Sequence, residues 1–310
     1  MQFTKKSLVS VIIPAYNHEK FVGAAIESVL DQSFDNFELI VIDDGSTDRT
    51  GEVIQAYNDT RLTYIYQENQ DAFNTLNRGL HIAKGDFVAI LNSDDAYALD
   101  RLERLLEEHY KTKAACIFTD VQPISENGEE FLDTEFWWNI WHQKNRNFYA
   151  KCGDLYTAFL KGNLMVTTSN LFLTMETVKK VGDFCSLRYL HDYDYIFRVM
   201  LAFPSRVQYF DNEKLLYYRI HGENTLSEAA IVGREQDKSV IRKYMLKKAP
   251  EELRQVVNTG VDRLIELEHE LIEETAKLKG TFSESDSGKE KTRPLSNIQQ
   301  KIQKIRKKFL

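Results

Sequence analysis

The stretch Leu8-Val-Ser-Val-Ile-Ile-Pro-Ala-Tyr-Asn17, read with Phe37-Glu-Leu-Ile-Val-Ile-Asp-Asp-Gly45, decides the fold. Each is a short β-branched apolar run cut off by Pro, Gly or acidic residues, the pattern of a strand buried on both faces. Between them, residues 19–32 carry Phe21, Val22, Ala25, Ile26, Val29 and Leu30 at helical spacing. The alternation continues along the chain. Ser46 or Thr47 can cap a helix that runs to about Tyr57. Residues 62–66 read as a strand, 72–83 as a helix, 87–91 as a strand, 100–111 as a helix and 114–119 as a strand. Such an order predicts right-handed βαβ units and an α/β fold with a mostly parallel central sheet flanked by helices.

In sheets of this kind ligands bind beyond the carboxyl ends of the strands. Polar groups gather at that edge: Pro14-Ala-Tyr-Asn17, Asp43-Asp44, Asn69 and Asn92-Ser-Asp-Asp95. Neither a Gly-x-Gly-x-x-Gly turn nor a Gly-Lys-Ser/Thr loop is present, which argues against a common dinucleotide or P-loop site. Acidic residues facing a phosphate-bearing ligand need a divalent cation between them.

The 310 residues are 43% hydrophobic and 28% charged, a globular composition that excludes a disordered or collagen-like chain. No apolar run approaches the ~18 residues of a membrane span, and residues 8–15 read as a first strand rather than a signal segment. Three cysteines (Cys116, Cys152 and Cys185) have no metal-ligand spacing and place the chain in a reducing cytoplasm. A net charge of −7 argues against a nucleic-acid partner. The charge is uneven, because residues 281–310 hold eight Lys or Arg against three acids.

From residue 121 to about 218 the alternation fades. Asn127-Gly128 suits a hairpin turn, and residues 207–210 and 214–219 read as two short strands with a helix after Asp192 before them. Phe136, Trp137, Trp138 and Trp141 form an aromatic cluster, either a satellite core or a platform for an acceptor. Residues 226–280 read as a helical extension. Its stripe contains Leu264, Leu271 and Leu278 at seven-residue spacing, so it can pack on the body or pair with a second copy. Residues 281–295 read as a linker, and 296–310 as a basic amphipathic helix with Ile298, Ile302, Ile305 and Phe309 on one face. Such a helix suits an anionic membrane surface or docking on protein.

Across residues 1–225 these motifs, in this order, resemble glycosyltransferase family 2, the nucleotide-sugar transferases of the GT-A fold. The resemblance implies a nucleotide-sugar-binding part over 1–120 and an acceptor and catalytic part over 121–225. It implies that Pro14, Ala15, Tyr16 and Asn17 contact the base and ribose, with Asp44 accepting a hydrogen bond from the base. Asn69 and the Asn77-Arg78-Gly79 segment would lie near the nucleotide, with Asp71 and Leu76 standing where the family has Gly and Arg. Leu91-Asn-Ser-Asp-Asp95 matches the family's Asp-x-Asp site with Asn92 in the first position. Asn92 and Ser93 would face the ribose, and Asp94 would hold Mn²⁺ or Mg²⁺ on the diphosphate. His221, in Tyr218-Arg-Ile-His-Gly-Glu-Asn224, resembles a histidine that reaches the metal or the diphosphate in part of the family. In His191-Asp-Tyr-Asp194 the family has Glu at the first position, and Asp192 would be the general base, with Asp194 the fallback.

The implied reaction is an inverting transfer from a nucleotide-diphosphate sugar, with a lean to UDP, to a hydroxyl of a glycan or lipid-linked glycan. The implied setting is bacterial cell-surface polysaccharide synthesis, in the cytoplasm or peripheral at the inner membrane face. A nucleotidyltransferase would need a Gly-rich basic loop after the first strand, and a glycoside hydrolase would need no nucleotide site. The other alternative is a catalytically impaired nucleotide-sugar-binding module, prompted by Asn92 and His191.

Overall fold

The computed structural model describes residues 7–187 and 190–222. Expectations for the helical extension, the linker, the basic helix and the segment after Gly222 fall outside these residues.

Three strands run parallel at the start of the sheet: β1 (Val9–Ala15), β2 (Phe37–Asp44) and β3 (Leu62–Gln67). Helices α1 (Val22–Leu30), α2 (Thr50–Gln55) and α3 (Ala72–Ile82) join them to one another and to β4 (Phe87–Ile90), which pairs with β1. The short β5 (Ala96–Tyr97) leads to α4 (Arg101–Thr112) and the long β6 (Cys116–Ile124). Helices α5 (Trp137–Cys152) and α6 (Leu155–Lys161) follow, then β7 (Phe172–Thr174), α7 (Met175–Val181), α8 (His191–Ala202) and β8 (Val207–Arg219). The eight strands form one sheet in the order β3-β2-β1-β4-β7-β6-β8-β5. β7 is antiparallel to β4 and β6, and β5 is antiparallel to β8. The sheet is therefore mostly parallel, with an antiparallel insertion at its centre and an antiparallel far edge.

The strands are apolar throughout because both faces are covered. Val9, Val11 and Ile13 of β1 pack with α1 and α4, whereas Ile12 points the other way onto Leu76 and Leu80 of α3. Gly79 of α3 lies over Ile12, and a Cβ there would sit 2.4 Å from Ile12 Cγ2. Gly79→Val is accordingly expected to lower stability by about 2 kcal/mol, the scale of overpacking a rigid core. Thermal unfolding reads this directly, and a variant as stable as the parent would show that Ile12 yields.

Several elements depart from their sequence reading for visible reasons. α2 begins at Thr50 with Asp48, not Ser46 or Thr47, accepting from the Thr50 amide at 2.9 Å. Ser46 and Thr47 are occupied by Asn17: the Asn17 amide donates to Ser46 Oγ at 3.0 Å, and Thr47 donates to Asn17 Oδ1 at 2.8 Å. The two short strands after α8 are one strand, β8. Its pairing with β6 jumps from Thr119–Phe210 to Asp120–Lys214, leaving polar Asp211, Asn212 and Glu213 bulged. Gly128, at φ +85°, closes the turn that pairs Ile124 with Glu130. Helix α5 has no clear sequence signal because it turns His142 and Asn145 inward beside its aromatics. Trp138 is 2% exposed and stacks on Tyr218 with centroids 5.1 Å apart, so it serves packing rather than an exposed platform.

Candidate active site

Strand register assembles the first part of the site. Ala15 at the end of β1 lies beside Asp43, Asp43 beside Tyr66, and Asp44 beside Gln67. Gly45 takes φ +77° and lets the end of β2 approach Asn69 so closely that a Cβ would fall 2.7 Å from its amide nitrogen. The two adjacent acids then differ in use. Asp43 accepts from the Ser46 amide at 2.9 Å and from the Tyr64 hydroxyl at 3.2 Å, which fixes the turn. Asp44, also buried, accepts at Oδ1 from Gln67 Nε2 at 2.6 Å and from the Gln70 amide at 3.0 Å. Its Oδ2 has no hydrogen bond among the described residues. Arg78 donates to Gln67 Oε1 at 2.7 Å and so braces Asp44 indirectly, while Leu76 is buried in the core. Tyr16, 46% exposed, stands just past β1, and Asn69 Oδ1 accepts from the Asp71 amide at 3.3 Å. Asn17 spends its side chain on the Thr47 turn, and its φ of +52° turns the chain toward His18.

The second part grows from the end of β4. The Asn92-Ser-Asp-Asp95 turn is closed by the Asp95 amide donating to Asn92 O at 3.1 Å. Asn92 donates through Nδ2 to Thr167 Oγ1 at 3.0 Å and through its amide to Ser169 Oγ at 2.9 Å. Asp95 accepts from Ser169 Oγ at 2.6 Å and from the Arg219 amide at 3.0 Å. Arg219 also donates to the carbonyls of Asp94, Ser125 and Glu126, tying this turn to β8 and the Gly128 turn. Asp94 Oδ2 lies 3.1 Å from Nε2 of His221. Ser93 Oγ lies 2.7 Å from Nδ1 of His18. The ligand atoms of His18, Asp94 and His221 all fall within 4.8 Å of one another. Burial pulls the Asp94 carboxyl upward, but the His221 hydrogen bond and the charges of His18 and His221 outweigh it and hold the group below the ordinary carboxylate range. Asp95 goes the other way, pushed well up by burial and by the charge of Asp94.

The third part is the start of α8. Asp192, 7% exposed, accepts at Oδ2 from Asn163 Nδ2 at 2.9 Å and at Oδ1 from the Tyr193 amide at 2.7 Å. Burial raises its carboxyl above the ordinary range, partly offset by the charge of His191 and the Asn163 hydrogen bond. His191 itself has Nε2 3.2 Å from Thr168 Oγ1 and Nδ1 3.1 Å from the Leu187 carbonyl. Asp194 is in an ion pair with Arg198 at 2.7 Å, with its side chain 1% exposed. That buried pairing commits Asp194 to the structure of α8. Burial, with the charges of Asp95, Asp94 and Asp192, raises the phenol of Tyr218 well above its ordinary pKa.

One segment touches both the second and the third part. Asn163 reaches Asp192, Thr167 and Ser169 reach Asn92 and Asp95, and Thr168 reaches His191. Within it Val166 takes φ +76°, a left-handed conformation that costs a β-branched residue dearly. Asn170, fully buried, anchors the segment to Thr119 O at 2.7 Å. None of these partners was evident in the sequence, and neither was His18. The one available signal for His18 was its place just beyond the first strand end, the edge at which Asp44 and Asp94 also lie. A separate cavity of about 800 Å³, lined by residues such as Lys84, Lys113, Lys179 and Arg206, opens at the opposite edge of the sheet and holds none of these groups.

A mostly parallel sheet, covered on both faces and carrying its acids beyond the carboxyl ends of its strands, defines this molecule as a GT-A protein. TarS of Staphylococcus aureus, solved in complex with UDP-GlcNAc, shares the fold with a TM-score of 0.60 at 19% identity, over 82% of this chain and 71% of that one. Residues 10–160 match the model of glycosyl transferase family 2. An uncharacterised glycosyltransferase of Rickettsia typhi is 32% identical over 74% of this chain and 69% of its own length. A putative teichuronic acid biosynthesis glycosyltransferase of Bacillus subtilis, TuaG, is 40% identical over 40% of this chain and 50% of its own length. The chain belongs to glycosyltransferase family 2, and its relatives include a protein named for teichuronic acid biosynthesis.

Proposed function

We propose that this protein is an inverting, metal-dependent glycosyltransferase that moves a sugar from a nucleoside-diphosphate donor, read as a UDP-sugar, to a hydroxyl of a glycan or lipid-linked glycan. The observation that carries the reading is the division of labour among the carboxylates. Asp44 keeps one oxygen open at the nucleotide end, Asp94 faces imidazoles, and Asp192 is buried with a raised pKa. The open oxygen of Asp44 suits a ring N–H of uracil, since a base without that donor would leave a buried charge unpaired. Pro14, Ala15, Tyr16, Asn69, Asn92 and Ser93 line the path from base to diphosphate in this reading, and Asn17 holds the path's shape. Asp192 accepts the proton of the acceptor hydroxyl as its oxygen bonds the anomeric carbon. The bond from that carbon to the diphosphate breaks, and the nucleoside diphosphate leaves with the electron pair. One base suffices, because no covalent intermediate is formed. Asp94 and His221 would hold a divalent cation, Mn²⁺ or Mg²⁺, which would supply the positive charge that the departing diphosphate needs.

Thermal shift with a panel of nucleotide-sugars in Mn²⁺ tests the donor reading. A UDP-sugar at about 100 times its Kd should stabilise the fold by about 2.7 kcal/mol, and acceptor glycans should then yield a product of inverted anomeric configuration. Stabilisation by no nucleotide-sugar would remove the reading, and stabilisation without turnover on any acceptor would favour the catalytically impaired module.

The basic segment 296–310, read from its spacing as an amphipathic helix, extends the proposal to location. Five Lys or Arg without an acid can contribute about 1 kcal/mol each at an anionic surface, which would bring the enzyme to lipid-linked acceptors on the cytoplasmic face. The full chain should float with anionic liposomes in a salt-dependent manner, and a chain ending at Pro294 should not. Equal flotation of the two would leave this segment, like residues 226–280, to packing within the chain or between copies. Among the described residues no helix is long and apolar enough to cross a membrane.

A further inference from the structure

Resting on the transferase reading above, we propose that His18 completes a three-ligand site with Asp94 and His221 that binds a transition-metal ion before any nucleotide arrives and prefers it to Mg²⁺. Three observations support the site. First, the 3.1 Å between Asp94 Oδ2 and His221 Nε2 is the separation of neighbouring ligands on one ion, about 3 Å for two bonds of about 2.1 Å at right angles. The third ligand atom is within 4.8 Å of both, so small side-chain adjustments bring all three onto a common centre.

Second, His18 is prepared for the role. Its amide donates to Thr50 Oγ1 at 2.8 Å, and its carbonyl accepts from the amides of Phe21 and Val22, which fixes the backbone at the entry to α1. When Nδ1 donates to Ser93 Oγ, 2.7 Å away, Nε2 carries the lone pair, and Nε2 has no hydrogen bond among the described residues. A hydrogen bond that sets the tautomer in this way is the usual support of a metal-ligating imidazole.

Third, the surroundings exclude water from one side. Phe21, 6% exposed, lies 5.9 Å from the ring of His18 and 4.7 Å from that of His221. An apolar wall of this kind favours nitrogen ligation over a hydrated ion.

The donor set decides the metal. Mg²⁺ favours oxygen donors and retains much of its water, so two imidazoles suit it poorly, whereas Mn²⁺, Co²⁺ and Zn²⁺ accept two nitrogens and a carboxylate readily. Three protein ligands also leave coordination positions for a diphosphate. A lone carboxylate would need the nucleotide to hold the ion; this set would not. Asn92 then represents no missing ligand, because His18 supplies the third donor while the Asn92 amide supports the turn through Thr167.

The test is Mn²⁺ titration of the nucleotide-free full-length protein, following loss of the free-ion EPR signal, with Mg²⁺ as competitor. One Mn²⁺ per chain should bind, Mg²⁺ in hundredfold excess should not displace it, and His18→Ala should weaken binding by about tenfold or more. Pulsed EPR of the wild-type complex should show nitrogen coupling from two imidazoles, a measurement independent of whether His18→Ala folds. Binding that Mg²⁺ matches, that His18→Ala leaves unchanged, or that shows at most one imidazole would overturn the proposal. Mn²⁺-dependent turnover with no binding in the nucleotide-free state would defeat this inference and leave the transferase reading standing. Tight two-imidazole binding without any response to nucleotide-sugars would do the reverse.

Discussion

Asp192→Asn is expected to cut kcat by about a hundredfold or more, the scale of a lost general base, while the affinity for the donor stays near that of the parent. The amide can still meet Asn163 and the Tyr193 amide, so the start of α8 has no reason to move. Its effect on stability has a definite sign. A carboxyl whose pKa is raised by folding loses stability as pH climbs through the raised value, so Asp192→Asn should be at least as stable as the parent at neutral pH. The pH profile adds a second check. Activity of the parent should fall on acidification through a limb lying above the ordinary carboxylate value of 3.8, as Asp192 takes up its proton, and the residual activity of the variant should lack that limb. Asp194→Asn is the contrasting case. Breaking its buried pair with Arg198 should lower the Tm, at a cost of about 3 kcal/mol, with kcat largely kept in the folded fraction. A crippled kcat in Asp194→Asn beside a mild Asp192→Asn would exchange the two roles.

Asp94→Ala is expected to reduce transfer to background in any metal. It removes the carboxylate that, among the described residues, lies with both His18 and His221, and a lost electrostatic stabiliser at a leaving group costs about a hundredfold to a thousandfold. The nucleotide binding proposed for Asp44 should persist, because Asp44 is held by Gln67 and Gln70 and not by the Asp94 turn. Excess EDTA should bring the parent to the same background, and full turnover in EDTA would contradict the role given to Asp94.

The parts of the fold that were legible in the sequence are those where burial and periodicity agree. β1, β2 and β4 are apolar on both faces, so they stand out as runs, and the ends of β2 and β4 carry the acids that first indicated the site. α5 was not legible because its inward face mixes Trp138 with His142 and Asn145, so the helical period dissolves. β8 was split at Asp211-Asn-Glu213 because a bulge exposes polar residues in mid-strand, and local reading sees only the break. The candidate site divides along the same line. Asp44, Asp94 and Asp192 sit at element ends, where a polar residue after an apolar run is conspicuous. His18 and Asn163 matter through partners 75 and 29 positions away, and His221 through one 127 positions away. Such pairings are decided by the sheet order and leave no trace in local spacing. The helix-capping role of Asp48 was hidden for a related reason, since Asn17 takes Ser46 and Thr47 away from α2.

The segment from Asn163 to Asn170 has a consequence for how such an enzyme can change its substrate. Its polar side chains are already committed to Asp192, His191, Asn92, Asp95 and the sheet, and Val166 is held in a conformation that few sequences tolerate. A mutation there disturbs the Asn92–Asp95 turn and the start of α8 together, so this stretch offers selection almost no room for gradual change. The half-exposed surface of α5 and the turn around Leu132, 69% exposed, carry no such obligations. New acceptors should therefore be won by rewriting the periphery, with the segment acting as a fixed keystone around which the lineage can diversify.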